Sequence, residues 1–208
     1  MKLVDMKVTD YLDLLKSDAP APGGGSVSAL AGAQGVGLFM MVCDLTIGKE
    51  KYAAFETACK EAKEKGAKLY TALHDGIDKD TDAYNLIAAA FKMPKDTDEA
   101  KAARSKAIAD ATLVATQIPF DNMSYCYEGL KIAAELTDKT NPNCASDLGV
   151  AILNLWAGMQ GTWMNVKINL PGVKDEAKKA AFLAEGEKMM AEGKRIAEAK
   201  YEEILANL

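Results

Sequence analysis

The stretch Lys51–Phe91, KYAAFETACKEAKEKGAKLYTALHDGIDKDTDAYNLIAAAF, decides the fold. Its seam residues are Tyr52, Phe55, Cys59, Ala62, Gly66, Leu69, Leu73, Ile77, Asp80, Tyr84, Ile87 and Phe91. The steps between them are threes and fours, the spacing of one buried face of an α-helix. No alternation of period two persists anywhere, so the sequence predicts an all-α protein, a multihelical bundle with long helices. Whether Glu50–Phe91 is one helix or two, broken near Gly66 or Gly76, is left open by the pattern.

Working outward, Thr9 is expected to cap a short helix ending near Ser17. The run Ala19-Pro-Ala-Pro-Gly-Gly-Gly25 reads as a loop, with Ser26 as the cap of a helix to about Ile47. That helix carries i,i+4 pairs of small residues (Ser28/Gly32, Ala29/Ala33, Ala31/Gly35, Ala33/Gly37), which suit the central helix of a bundle. Its Val27–Cys43 core is apolar but falls short of the roughly 20 residues that span a bilayer. A buried core helix is therefore expected, and no membrane association. Pro94 ends the long seam. Asp96 with Glu99 reads as a capping box opening a helix to Gln117, and Pro119 either starts the next helix or kinks a continuing one. That segment ends near Asp138. Ser146 is the expected cap of an apolar helix to Leu170, stopped by Pro171-Gly172, and Asp175 to about Ala206 closes the chain. No solenoid repeat or linker interrupts the 208 residues, so residues 1–208 are expected to form a single domain.

Composition narrows the function. The net charge of -5 and pI near 5.1 leave no basic surplus for a nucleic-acid backbone. Cys43, Cys59, Cys126 and Cys144 form no CxxC pair and His74 is the only histidine, which speaks against the usual zinc patterns. Reduced thiols in a cytoplasmic protein are the expectation, and the N-terminus shows no secretory pattern. Chemistry would then fall to carboxylates and amides.

Asp80 is the position that the pattern singles out. Asp75, Asp78 and Asp82 fall off the seam, whereas Asp80 lies on it between Ile77 and Tyr84. Burying a carboxylate raises its pKa and poises it for proton transfer; a polar helix break or a buried pair with a lysine would explain it equally. Asn154, Gln160, Asn165 and Asn169 interrupt an otherwise apolar helix, with Asn154, Asn165 and Asn169 able to share a broad face. They read as a polar pocket or as interhelical hydrogen bonds. The Gly23, Gly24, Gly25, Ser26 loop can approach a ligand closely and opens a helix N-terminus that attracts anions. Lys49 follows Gly48 at the far end of that helix, where it suits the helix dipole or an anionic ligand. Cys144 is a weak candidate nucleophile, having no histidine nearby in sequence.

Several segments together resemble the cyclodeaminase/cyclohydrolase family of folate enzymes. They are PAPGGGSVSALAGAQG (Pro20–Gly35), LTIGKEKY (Leu45–Tyr52), DTDAYNLIAAAFKMPK (Asp80–Lys95), and NPNCASDLGVA (Asn141–Ala151) continuing to NVKINL (Asn165–Leu170). The resemblance covers nearly the whole chain. It implies an all-α homodimer that binds a tetrahydrofolate derivative, with no metal and no cofactor beyond that substrate. It places the family's key aspartate on Asp80 as the catalytic group. It also carries Gly23, Gly24, Gly25, Ser26, Lys49, Asn141, Asp147, Asn165 and Asn169 to the substrate site. The implied activity is methenyltetrahydrofolate cyclohydrolase or formiminotetrahydrofolate cyclodeaminase. No formiminotransferase portion is in the chain, which tilts the expectation toward methenyl hydrolysis or a separately encoded partner. The competing classes are a non-catalytic folate-binding or scaffold protein and a membrane-embedded helix pair.

Overall fold

A computed structural model describes residues 2–208. Six α-helices follow one another: α1 (Val8–Leu15), α2 (Gly24–Asp44), α3 (Glu56–Phe91), α4 (Asp98–Glu135), α5 (Ala145–Asn169) and α6 (Glu176–Ala206). Short 3-10 turns lie at Glu50–Phe55, Pro142–Cys144 and Leu170–Gly172, and no strand occurs among the described residues. The all-α expectation holds.

Side-chain approaches fix the topology. Gly25 meets Asp80, Gly32 meets Leu73, and Gly66 meets Phe39, so α2 and α3 run antiparallel. Gly76 against Asn122 makes α3 and α4 antiparallel; Gly129 against Leu155 and Gly172 against Thr112 do the same for α4 and α5. Gly24 beside Asn165 and Gly35 beside Leu155 close the ring, α5 antiparallel to α2. The result is an up-down-up-down four-helix bundle, with α6 laid against α5 and α4.

The small-residue helix sits where the sequence placed it. A Cβ on Gly35 would lie 2.8 Å from the Ala151 carbonyl oxygen, and one on Gly158 would lie 3.0 Å from the Ser28 carbonyl oxygen. These backbones touch, and only a hydrogen in place of a side chain permits it. The glycines therefore offset their poor helix propensity, about 1 kcal/mol each, through close packing. Of the described residues only Gly24–Asp44 is long and apolar enough to cross a membrane, and 56% of its most apolar window is buried. It packs against α3, α4 and α5 as a core helix. Phe39, Leu73, Met123, Leu130, Ile152, Leu155 and Met159 fill the interior without exposed surface. Truncating any one to alanine would cost roughly 2–5 kcal/mol.

The long seam is one α-helix of 36 residues, about 54 Å. The break falls before it, at Tyr52 in the 3-10 turn, and not at Gly66 or Gly76. Its buried stripe follows the expected line as far as Ile77, then rotates. Ala83 and Ala90 are buried, while Tyr84 and Phe91 are exposed. The reason is geometric: α2 begins level with Asp80, so beyond that point α2 no longer covers α3.

Four helix starts differ from expectation. Lys7 precedes α1 with no side-chain cap, so Thr9 lies inside the helix. Thr97, whose side chain accepts from the Ala100 N–H, caps α4 in place of Asp96. Cys144 precedes α5 without a side-chain cap, and Ser146 falls in the first turn. Gly23 precedes α2, placing Ser26 inside. At α4 the better-placed Thr97 meets the first turn, and at α2 the Asp80 carboxyl from α3 accepts from the Ser26 N–H. Asp175 does cap α6, accepting from Lys178 N. Pro119 lies within a continuous α4 of 38 residues.

Candidate active site

At the N-terminal end of α2 a cavity of about 190 Å³ opens between α2, α3, α4 and α5. Gly23, Gly24 and Gly25 line it from α2, Asp80 and Tyr84 from α3, Ala115 from α4, and Asn165 with Asn169 from α5.

Asp80 holds its place through the glycines. A Cβ on Gly25 would stand 2.0 Å from Asp80 Oδ1, so the carboxyl lies directly on the helix backbone there. The first-turn N–H groups of α2 have no partner within their own helix and no side-chain cap from Gly23. The Asp80 carboxyl, delivered from α3, stands where a capping side chain would stand. Ser26 has a different role from the cap assigned to it. Its hydroxyl donates to the Ile77 carbonyl at 2.7 Å and lies 3.3 Å from Asp80 Oδ2 and 3.2 Å from Thr81 Oγ1.

Two opposing influences set the acidity of Asp80. Burial pushes its pKa up from the usual carboxylate range, while the Ser26 hydroxyl and N–H pull it down. Burial wins. Among the described residues no lysine or arginine forms an ion pair with it, so the buried-pair explanation does not apply. Tyr11, from α1, was not singled out by the sequence. Its hydroxyl is buried with no hydrogen-bond partner, and its pKa is raised by burial and then by the nearby Asp80 charge. A tyrosine in an amphipathic helix reads as core, so no sequence signal marks it.

Asn169 reaches the cavity through a defect in α4. Pro119 has no N–H, so the Ala115 carbonyl loses its usual i+4 donor. Asn169 Nδ2 donates to that carbonyl at 2.7 Å. One proline thus frees an acceptor, and the amide from α5 takes it, leaving Asn169 at the cavity wall. Asn165 Nδ2 donates to the Gly161 carbonyl at 2.8 Å and borders Gly24. Asn154 does not join them: it donates to Val150 of its own helix at 2.9 Å, and Gln160 is exposed.

The remaining expected site residues lie at the opposite end of α2, about 30 Å away by helix rise. Asn141 is buried and its side chain is committed to the fold. Its Oδ1 accepts from the Tyr52 hydroxyl at 2.9 Å and from Asn143 N at 3.1 Å, and its Nδ2 donates to the Leu45 carbonyl at 3.3 Å. Within its own chain Asn141 ties the end of α2 to the 3-10 turns and does not line the Asp80 cavity. Lys49 is exposed just before the Glu50–Phe55 turn. Asp147 is half-buried in the first turn of α5, where a negative charge suits the helix dipole. Neither reaches the cavity of its own chain. Cys144 is buried, which excludes an accessible thiolate, and burial pushes the Cys126 thiol up to about 12. Among the described residues no cluster of three or more His, Cys, Asp or Glu is placed to hold a metal ion.

The site is thus a half-buried carboxyl of raised pKa, seated on a helix N-terminus and lining a small cavity with two carboxamides, in an all-α bundle. The sequence pattern of the formiminotransferase-cyclodeaminase family matches residues 7–188, and the chain belongs to that family. It is 39% identical to methenyltetrahydrofolate cyclohydrolase of Methylorubrum extorquens over 197 residues, 95% of each chain. It is 33% identical to formimidoyltransferase-cyclodeaminase of Dictyostelium discoideum over 83% of this chain, but only 31% of that longer protein. Formiminotetrahydrofolate cyclodeaminase of Thermotoga maritima shares the fold, with a TM-score of 0.79, 24% identity and 96% of this chain covered.

Proposed function

We propose that this chain hydrolyses methenyltetrahydrofolate, with Asp80 as the group that moves the protons. The observation that carries the reading is the Asp80 carboxyl, raised in pKa by burial yet standing at the open cavity. The near full-length similarity to a methenyltetrahydrofolate cyclohydrolase supports the substrate class.

The chemistry follows from that carboxyl. Water adds to the cationic methenyl carbon, forming a C–O bond and giving one proton to Asp80. The tetrahedral adduct then breaks one C–N bond; Asp80 returns its proton to the departing nitrogen, and the hydroxyl proton of the adduct leaves to solvent. One cation and one water become a neutral formyl product and one proton. A carboxyl with pKa lifted toward neutrality serves both directions of transfer, and its negative charge steadies the cationic carbon. The free faces of the Asn165 and Asn169 amides suit the hydrogen-bonding edge of a pterin. The N–H and hydroxyl of Ser26 hold Asp80 in place for this transfer.

In this reading the protein works as a homodimer in the cytoplasm, a reducing compartment that suits four unpaired buried cysteines. Incubation with methenyltetrahydrofolate should bleach the methenyl chromophore. Formation of that chromophore from 5-formiminotetrahydrofolate would instead assign cyclodeaminase chemistry, and no change with either substrate would overturn the enzymatic reading.

A further inference from the structure

One turn outward from the Asp80 cavity, the same three elements line a second hollow. On α3 the lining passes from Ile87 to Phe91, on α4 from Ala115 to Thr112, and past the end of α5 from Asn169 to Gly172. Each step is about one helical turn, so the two hollows follow one another along a common face. The outer one has a volume of about 490 Å³. The cavity at Asp80, about 190 Å³, is below the roughly 300 Å³ at which pockets enclose a drug-sized ligand. A folate held there by its pterin end leaves its other end outside.

The two linings differ in charge. The chain carries a net charge of -5, yet Lys95, Lys101, Arg104 and Lys174 line the outer hollow and no carboxylate does. Lys101 is engaged by Asp98 at 2.9 Å. Other acids nearby are committed elsewhere: Asp96 accepts from the Lys95 N–H and Asp175 from the Lys178 N–H. Lys95 and Lys174 have no ion pair among the described residues. Arg104 is held in place, its Nε and one Nη donating to the Phe91 carbonyl at 3.3 and 3.2 Å. Its guanidinium lies over the Phe91 ring, 5.5 Å from the centroid. Two of the five N–H groups of an arginine are so used, which leaves three for an anion.

We infer that this outer groove holds the carboxylate end of the substrate's side arm. This rests on the folate reading above and places the part of the substrate that the Asp80 cavity leaves outside. A folate arm is an aromatic ring, then an amide, then a glutamate to which further γ-linked glutamates can be joined. The wall offers matching chemistry in the same order. The Asn165 and Asn169 amides meet the pterin, Ile87 and the exposed Phe91 meet the ring, and the cations meet the carboxylates. Asp80 and Phe91 are about 16 Å apart by helix rise, a span of the same order as the extended arm. Arg104 can take a carboxylate through a pair of N–H groups. Lys95 and Lys174 act as point charges on flexible stems, suited to additional carboxylates without fixed geometry. Affinity therefore rises with the number of glutamates.

A substrate series tests this: methenyltetrahydropteroate, which lacks glutamate, methenyltetrahydrofolate, and its tri-γ-glutamate form. Wild-type KM should fall along the series. The double variant Lys95→Glu/Lys174→Glu changes two exposed side chains. It should raise KM for the triglutamate about tenfold, the scale of two weak surface ion pairs lost and reversed, and KM for the pteroate far less. Added salt should raise the wild-type KM for the triglutamate and leave that of the variant nearly flat, because exposed charges are screened. A wild-type KM indifferent to glutamate number, or a variant that raises KM equally for all three substrates, would overturn the proposal. If no substrate is turned over, calorimetric titration with tetrahydrofolate and its triglutamate judges the groove by itself. Tighter binding of the triglutamate that the double variant loses would keep the groove while the catalytic reading fails. Binding independent of glutamate number, or no binding, would sink the groove.

Discussion

The two ends of α2 are both polar, and they are polar in opposite ways. At the C-terminal end, Thr46, Tyr52 and Asn141 satisfy one another: the Asn141 N–H donates to Thr46 Oγ1 at 2.9 Å and the Asn141 amide bridges Tyr52 and Leu45. At the N-terminal end, Asp80 lacks a cation partner, Tyr11 has an orphaned hydroxyl, and the glycine turn opens to a cavity. A saturated cluster builds the fold; one left with spare hydrogen-bonding capacity has something to offer a ligand. Sequence motifs alone do not separate the two.

Substitutions at the two ends should break in different currencies. The largest effect expected is at the open end. Asp80→Asn should lower kcat by roughly 10²–10⁴, the usual scale of general acid-base catalysis, while circular dichroism and melting show an intact fold. A variant with near wild-type turnover would remove Asp80 from the chemistry.

Asn141→Ala, within the saturated Thr46–Tyr52–Asn141 cluster, should instead destabilise the protein by about 2–3 kcal/mol, because it leaves buried partners unmet. Denaturant unfolding measures this, and a loss under about 0.5 kcal/mol would contradict a structural role.

A smaller effect is expected from Pro119→Ala. Restoring the N–H lets α4 reclaim the Ala115 carbonyl and frees Asn169 from its anchor. We expect KM to rise about fivefold, near 1 kcal/mol, with kcat little changed and stability equal or slightly improved. Unchanged KM would show that the Asn169 position is immaterial to binding.

The subtlest test concerns pH. The folded-state pKa of Asp80 is raised, so the fold disfavours its ionised form. The stability associated with its protonated form is present in acid and lost as pH rises through the folded pKa. Asp80→Asn escapes that loss. Its Tm should therefore exceed that of wild type at pH 8, and the gap should close as pH falls below about 4, the unfolded carboxylate pKa. A gap that widens in acid would reverse the sign of the argument.

Much of this was legible before any coordinates. The three-four seam marked the helical class, and its interruption marked Asp80, which lines the cavity, because periodicity reports which side chains face inward. Small-residue pairs located the central helix for the same reason. Caps were less legible: Gly23, Lys7 and Cys144 precede their helices without a side-chain cap, and a serine or threonine two or three residues later looks equally suitable. The link from Pro119 through Ala115 to Asn169 crosses two helices, so no local pattern contains it. Motif order carries no distance: within one chain the 21 residues of α2 lie between Asp80 and the end that holds Lys49, Asn141 and Asp147.

The contact between Gly25 and Asp80 couples two positions that lie 55 residues apart in the chain. One added methyl at residue 25 would occupy the space of the carboxyl itself, with 2.0 Å to Oδ1 and 2.4 Å to Cγ. The acid and the glycine behave as one unit: evolution or engineering can swap the carboxylate for another side chain only within the room a missing Cβ provides, and any larger residue at position 25 evicts the acid before it touches a substrate.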